Sequence, residues 1–468
     1  MTGLRHCLAL TIYLALMPVP IFSKTIFVST SLGDDNNSGS EISPLKSIDL
    51  AIQKADSVRL KAGDIFYGSY ILNKKYLGRY GEGENPKVCG YRRLINPRWK
   101  QVETNIWSLS LIEDNYTGCV VQEPSLLNNI GCIHEYDTDL IHGRKVKLYS
   151  QLKENWDMWQ TDSYSTTMDP NSLNNLYLYY SGNPNKLQLE FAIGTYAFQI
   201  RYSTIENVNI EGYGFGVSIL LGDCVVRNCR IDAIGGMVLL SQSAYALEGN
   251  GISLYFGSYS VKDCLIEGNY ISRCYDCGLC VQGTGNNGSN ASNIILRDNL
   301  VTQCCQGIEN FSESKTNFFD NCIACGNYFV ANGESGFGYP IERFKHCQIL
   351  ENNTKGPKGF KYVENLFVDG NFYCAATYEK NNYESSVFTN NECYMAPGQY
   401  VISDYYGKED VIRVLNNGLL NRSKNKILIK SYSSMTKDSS TNFHIINCER
   451  LEKKSRKVIG DYLKNHSY

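Results

Sequence analysis

The chain has no surplus of charge of either sign. Its 45 lysines and arginines stand against 47 aspartates and glutamates, giving a formal net charge of −2 and a pI near 6.3. Nucleic-acid binders carry a basic stripe, so that partner class is set aside. The chain also lacks a bilayer-spanning segment: the apolar run CLALTIYLALM is shorter than the ~20 residues a membrane helix needs. Histidine is scarce, at 6 residues, and none lies near Cys274-x-x-Cys277-x-x-Cys280 to complete a zinc or iron–sulfur set. No metal is expected there.

The short apolar run has another use. Arg5 precedes it and Pro18, Pro20 and Ser23 follow, so residues 1–23 read as a secretory signal, and the protein is expected to be secreted or periplasmic. Without Cys7 the 18 cysteines become 17, an odd number that disfavours a complete disulfide framework. Cys224, Cys264 and Cys322 each precede a similar sequence window, and buried free thiols behave as small hydrophobes. They are expected to stack in a core, with one or two disulfides as the alternative.

Those windows are the main feature of the chain. IENVNI (205–210), VVRNCR (225–230), LIEGNY (265–270), ILRDNL (295–300), IACGNY (323–328), ILENNT (349–354), FVDGNF (367–372) and VFTNNE (387–392) each run from apolar residues into a bend. Their fifth positions are Asn209, Cys229, Asn269, Asn299, Asn327, Asn353, Asn371 and Asn391, separated by 20, 40, 30, 28, 26, 18 and 20 residues. Asn tolerates left-handed backbone and bonds across turns, and at one strand spacing such side chains can form a ladder. A period near 20 with β-branched residues and no helical pattern implies an all-β parallel solenoid.

The remaining sequence divides around this repeat. Residues 24–94 read as an N-terminal cap and first coils, with Leu45, Ile48, Ile52 and Ala55 on one face of a helix covering the exposed end. Residues 95–200 break the period and hold all four tryptophans, so they read as an inserted antiparallel β-rich domain. Its tryptophans either line a cleft or fill a core. His134, Glu135, Asp137 and His142 fall in one loop-like stretch, either a metal cluster or a solvated loop. Residues 201–400 are the cleft-bearing coils, and 401–468 are C-terminal coils with a cap or tail whose 449–464 segment is a polar helix or loose. Insertions gather between Cys229 and Asn327, including GTGNNGSNAS (283–292), so a groove is expected over those coils.

Stacked coils bring acids together. Aligning CGLCVQ with QGIENF places Glu309 over Cys280 and Phe311 over Gln282, with Asp276 at the bend before and Asp232 one coil earlier. Carboxylates one or two coils apart, at ~4.8 Å per coil, bracket the separations used in glycoside hydrolysis. Crowding raises one carboxyl and keeps it protonated as a general acid. Each acid alone is equally compatible with a cap or a solvated face. Gln282 is a candidate for a sugar hydroxyl; Arg273 and Arg297 either bind an acidic sugar or pair with acids on neighbouring coils.

IDAIGG (231–236), GNGIS (249–253) and YDCGLCVQG (275–283), with the cap motif FVSTSLGDDNNSGSEISPLKSIDLAIQKA, carry a resemblance. The chain resembles right-handed parallel β-helix proteins of the pectate-lyase-like superfamily, of the carbohydrate-active type common in gut Bacteroidetes. The resemblance implies a groove around Asn250, Asp276, Gln282 and Glu309 and a polysaccharide or oligosaccharide substrate. Two positions depart from it: Ser253 stands where relatives carry Glu, and Phe215 where they often carry His. Three readings follow: a glycoside hydrolase using Asp276, Glu309 and Asp232; a polysaccharide lyase drawing its base from Lys262, Arg273 or Arg297, often with Ca²⁺; and a non-catalytic glycan binder. Apart from that Ca²⁺ no cofactor is expected, and no oligomeric state follows from the sequence.

Overall fold

The computed structural model describes residues 24–94, 98–110, 116–117, 130–160 except 137, 139 and 147, 175–240, 245–283, 288–312, 317–332, 347–350, 360–368, 372–374, 387–397, 400–403, 410–415, 418–421 and 441–468 except 467. The expected signal segment, Asp137, Asn353 and Asn371 lie outside the described residues.

The chain is mostly β, and its long sheets are parallel. In the first sheet Thr25–Val28, Ser57–Lys61, Tyr76–Tyr80, Thr204–Glu206, Val225–Arg227, Val261–Glu267 and Asn290–Arg297 follow one another, each pairing with the equivalent strand of the next passage of chain. Their register lines up Ile26, Val58, Leu77, Ile205, Val226, Ile266 and Leu296 in one buried column. A second set passes through Arg230–Ile234, Tyr270–Cys274, Leu300–Thr302 and Tyr328–Val330. A third passes through Ile252–Phe256, Cys277–Gly283, Gln306–Ser312 and Cys347–Leu350. The strand Asn209–Ile219 belongs to both, since 209–213 pair with the second set and 217–219 with the third. The inward columns meet in one apolar core, where each fully buried Val, Leu or Ile contributes about 1.5–3 kcal/mol.

Single left-handed residues turn the chain from the first sheet into the second. Asn207, Asn228, Gly268, Asp298, Gly326, Glu364 and Asn390 all have φ between 52° and 63°, a region that Asn, Asp and Gly enter at least cost. The residue after each bend points inward, and from Asn269 to Asn391 these residues form the ladder. Asn269 Nδ2 donates to Asn299 Oδ1 at 2.9 Å and to Val226 O at 3.0 Å, and its backbone N–H donates to the same Oδ1 at 3.0 Å. The pattern repeats at Asn299, Asn327 and Asn365, and Asn391 accepts the last pair.

The column corrects the repeat alignment in two places. Ile205 pairs with Val226, not Val225, so Val208 holds the position beside Cys229 and Asn209 begins the next strand. Asn365 follows Asn327 after 38 residues and Asn391 follows after 26, so the later coils do not return to a 20-residue period. The left-handed residue of each bend also precedes the ladder Asn. Cys224, Cys264 and Cys322 do share a column, with Ile294 between the last two, and all three are buried free thiols.

The helix α1 (Ile48–Lys54) packs against the first two strands and buries Ile48 and Ala51. Leu45 lies outside it, in a bridge to Val28. Within 98–179 the strands form a mainly antiparallel five-stranded sheet from Lys100–Glu103 to Asn175–Tyr179; Arg144–Lys145 differs by pairing parallel. Trp99 and Trp107 are buried there, Trp156 stacks on His142 at 3.9 Å, and Trp159 packs on Tyr149 and Tyr177. The tryptophans therefore fill cores. The long strand Leu189–Arg201 begins antiparallel against Tyr91–Leu94 and ends parallel against Tyr70–Asn73, joining the two architectures.

The helix α2 (Cys448–Asn465) starts at Asn447, whose side chain accepts from Arg450 N–H at 2.9 Å. Its Leu451 and Tyr462 cover an apolar strip of Leu300, Val330, Val368 and Ala396 along the side of the second sheet. Tyr462 Oη donates to Asp298 O at 2.8 Å, and Tyr468 Oη to Gly268 O at 2.8 Å. One face of this segment is thus buried rather than solvated.

Candidate functional site

Glu309 lies over Cys280 and Phe311 over Gln282, the register expected from CGLCVQ and QGIENF. The column continues backwards through Ser253 and Ser218, both buried. Glu309 Oε2 accepts from the Cys280 thiol at 3.7 Å, and Gln282 Oε1 lies 3.8 Å from the same sulfur. Ser253, which stands where the resemblance has Glu, is buried beside Cys280.

Asp276 occupies the bend between the second and third sheets, one coil before Glu309. Its backbone N–H donates to Gly249 O at 3.3 Å, and its carbonyl accepts from Gln306 N–H at 2.8 Å. The side chain is half-buried, and its Oδ1 accepts from Gln306 Nε2 at 3.3 Å. Burial raises the carboxyl to about 7, with the Gln306 bond opposing the rise. Asp276 and Glu309 both push the Cys277 thiol upward, and both act likewise on Cys305, which places the two acids in one electrostatic neighbourhood. The half-buried side chains of Tyr196, Phe215, Tyr255, Gln282 and Glu309 come from neighbouring positions of the same sheet.

Asp232 has a different setting. It is 2 % exposed and receives Arg273 Nε at 2.7 Å on Oδ1, the Arg273 Nη2 on Oδ2, Arg230 Nη2 at 3.1 Å and Ser272 Oγ at 2.8 Å. Burial alone would raise this carboxyl; Arg273, Arg230 and Ser272 outweigh it and hold it below the usual range. Arg273 is committed to that pair. Arg297 lies on the first sheet, paired with Glu267, away from the Asp276 sheet. Lys262 is exposed on that same first sheet. Asn250 is buried: Oδ1 accepts from Cys277 N–H at 3.1 Å and Nδ2 donates to Tyr255 Oη at 3.0 Å.

Ile133–Glu135 and Ile141–His142 are paired antiparallel strands, which place His134, Glu135 and His142 on strands and not in a loop. His134 bonds Glu190 at 3.1 Å and His142 bonds Glu135 at 2.7 Å. No group of three or more His, Cys, Asp or Glu among the described residues is arranged to hold a metal ion. Sequence reasoning missed Gln306 and Tyr255. The CGLCVQ/QGIENF alignment itself pairs Cys277 with Gln306, and so sets Gln306 one coil above the residue that follows Asp276.

No protein-family model matches the chain, and no curated protein does. Among solved structures it is similar to one described as the complex of XylC with xylose, at 12% identity over 80% of this chain and 76% of that one, TM-score 0.41. It is also similar to a GH136 lacto-N-biosidase from Eubacterium ramulus, at 12% identity, 90% and 68% coverage and TM-score 0.36. A Family 28 exopolygalacturonase from Yersinia enterocolitica follows at 11% identity, 81% and 75% coverage and TM-score 0.29. These scores are too low to carry chemistry from those proteins to this one. No helix among the described residues is long and apolar enough to cross a membrane.

Proposed function

We propose that the protein is an exported carbohydrate-active enzyme that cleaves glycosidic bonds in a polysaccharide by hydrolysis. Its scaffold is read as a right-handed parallel β-helix carrying residues 95–200 as an inserted domain. The observation that carries the reading is the half-buried Asp276, with a carboxyl raised to about 7, one coil before Glu309 and acting with it on Cys277 and Cys305. Asp276 is the general acid that protonates the leaving oxygen. Glu309 is the base that activates water or the nucleophile that attacks the sugar. Gln282, two residues from Cys280 and one column from Glu309, binds a substrate hydroxyl, and Tyr255 offers an aromatic edge beside it. Asp232 and Arg273 hold the bend rather than the substrate, and Asn250 holds Tyr255.

The lyase reading is weakened because Arg273 and Arg297 are tied to Asp232 and Glu267, and Lys262 stands on the other sheet. The glycan-binder reading draws on two positions, Ser253, buried where the resemblance has Glu, and Phe215, where it often has His. Incubation with a panel of polysaccharides should release reducing sugar without ultraviolet-absorbing unsaturated products. Asp276→Asn should remove at least 99 % of that release without lowering the unfolding midpoint; full turnover in the variant would refute the assignment. Tight oligosaccharide binding with no cleavage would establish the binder.

A further inference from the structure

Gln306 stands out once the acids are assigned. It opens the strand Gln306–Ser312, in register with Cys277, and its backbone N–H is fixed on Asp276 O. Its side chain is 4 % exposed. One end of the amide, Nε2, points at Asp276 Oδ1; the other, Oε1, is buried with no hydrogen-bond partner among the described residues. A buried amide oxygen without a donor is costly, and native cores seldom leave one unexplained. The nitrogen and oxygen of such an amide are assigned from their surroundings, so the two orientations are alternatives for the same side chain.

We propose that Gln306 is the positioning residue for Asp276 and that its amide follows the proton: Nε2 donates to the ionised carboxylate, and after a flip Oε1 accepts from the protonated acid. The unpartnered oxygen then has a function in the state that general acid catalysis requires. Both orientations keep the carboxyl pointing the same way, so the acid is held in line whether loaded or spent. The bond to the ionised form is charge-assisted and the stronger of the two, so Gln306 on balance opposes the rise that burial imposes. Asp276 acts on the thiols of Cys277 and Cys305, which Glu309 and Cys304 influence as well. Burial pushes the Cys277 and Cys305 thiols well above their ordinary value, so they stay neutral while Asp276 titrates.

This inference rests on Asp276 as the acid, and its test is independent of turnover. In full-length protein labelled with ¹³C-aspartate and ¹⁵N-glutamine, the Asp276 carboxyl is followed from pH 4 to 9, with Asp276→Asn as assignment control. The Gln306 side-chain amide resonances should move with the same midpoint as that carboxyl, and should stop moving in Asp276→Asn. Gln306→Met, close in size and without either polar end, should raise the carboxyl midpoint by about half to one pH unit. Amide resonances indifferent to pH would overturn the proposal, as would an unchanged or lowered midpoint in Gln306→Met. If the resonances behave as expected but no glycan is cleaved, the enzyme reading fails and the coupling of Gln306 to Asp276 stands.

Discussion

Arg273 reaches from a left-handed corner, φ 50°, to Asp232 on the preceding coil, its Nε 2.7 Å from Oδ1. The pair is buried on the Asp232 side and shares its carboxylate with Arg230 and Ser272. Removing Arg273 leaves the buried carboxylate with only Ser272 and the more exposed Arg230, so Arg273→Ala should cost about 3 kcal/mol in denaturant unfolding at pH 7. The sign with pH follows from the depressed carboxyl: the stabilisation is present above the ordinary aspartate range near 4 and disappears as the pH falls below it. The difference between wild type and Arg273→Ala should shrink on acidification. A constant gap down to pH 2 would contradict the ion pair.

Asp276 should show the opposite trend. Its folded carboxyl titrates at about 7, while the unfolded one titrates near 4. Between these values the folded chain holds a proton that the unfolded chain has lost, so stability falls as the pH rises and then levels off above 7. Asp276→Asn should therefore be more stable than wild type at pH 8, by about 1–3 kcal/mol allowing for its partial exposure, and equal to it at pH 4. Turnover by the wild type should fall as the pH passes 7, because the acid is then ionised. Urea titrations at the two pH values and a pH–rate profile check both statements.

Asn299 tests the ladder. Replacing it by Ala removes the acceptor of Asn269 N–H and Nδ2 and the donor to Ile266 O and Asn327 Oδ1. Four buried groups lose a hydrogen bond, and the expected loss is about 3 kcal/mol or more. The urea midpoint should drop with an unchanged slope, as befits a change in stability alone.

Tyr462 tests whether α2 is a strap. Its hydroxyl bonds the carbonyls of Asn269 and Asp298, and its ring packs edge-on to Tyr328. Tyr462→Phe should cost about 1 kcal/mol and Tyr462→Ala about 3–5 kcal/mol. Amide exchange at residues 268–270 and 298–300 should accelerate in Tyr462→Ala while the strands near Thr25 stay protected.

Much of this arrangement was legible in the sequence because the repeat writes one environment many times over. Asn269, Asn299 and Asn327 announced their column, and the short motif from Cys277 to Ser312 fixed Glu309 over Cys280 in advance. The failures are where the repeat is irregular. Asn365 was passed over because Asn353 and Asn371 fit the same window, and only pairing decides which residue meets Asn327. Asp232 read as a third acid because nothing in the order of residues shows that Arg273, on the next coil, folds back on it. Gln306 was overlooked because only the folded chain turns its amide onto the carboxyl of Asp276, thirty residues earlier. Its importance comes from what it touches.

The asparagine column has a direction. Every bond between ladder amides donates toward the next coil in chain order, while the same nitrogens also donate to a carbonyl of the coil before, and the row stops at Cys229, whose backbone N–H makes the last bond to Asn269. Beyond it Val208 has no amide to offer. Under tension along the long axis, the seam between the passages holding Val208 and Cys229 has strand pairing, apolar contact and the Glu206–Arg227 ion pair to resist parting, but no rail of amides. A pulling experiment should open the molecule there before it separates Asn299 from Asn327.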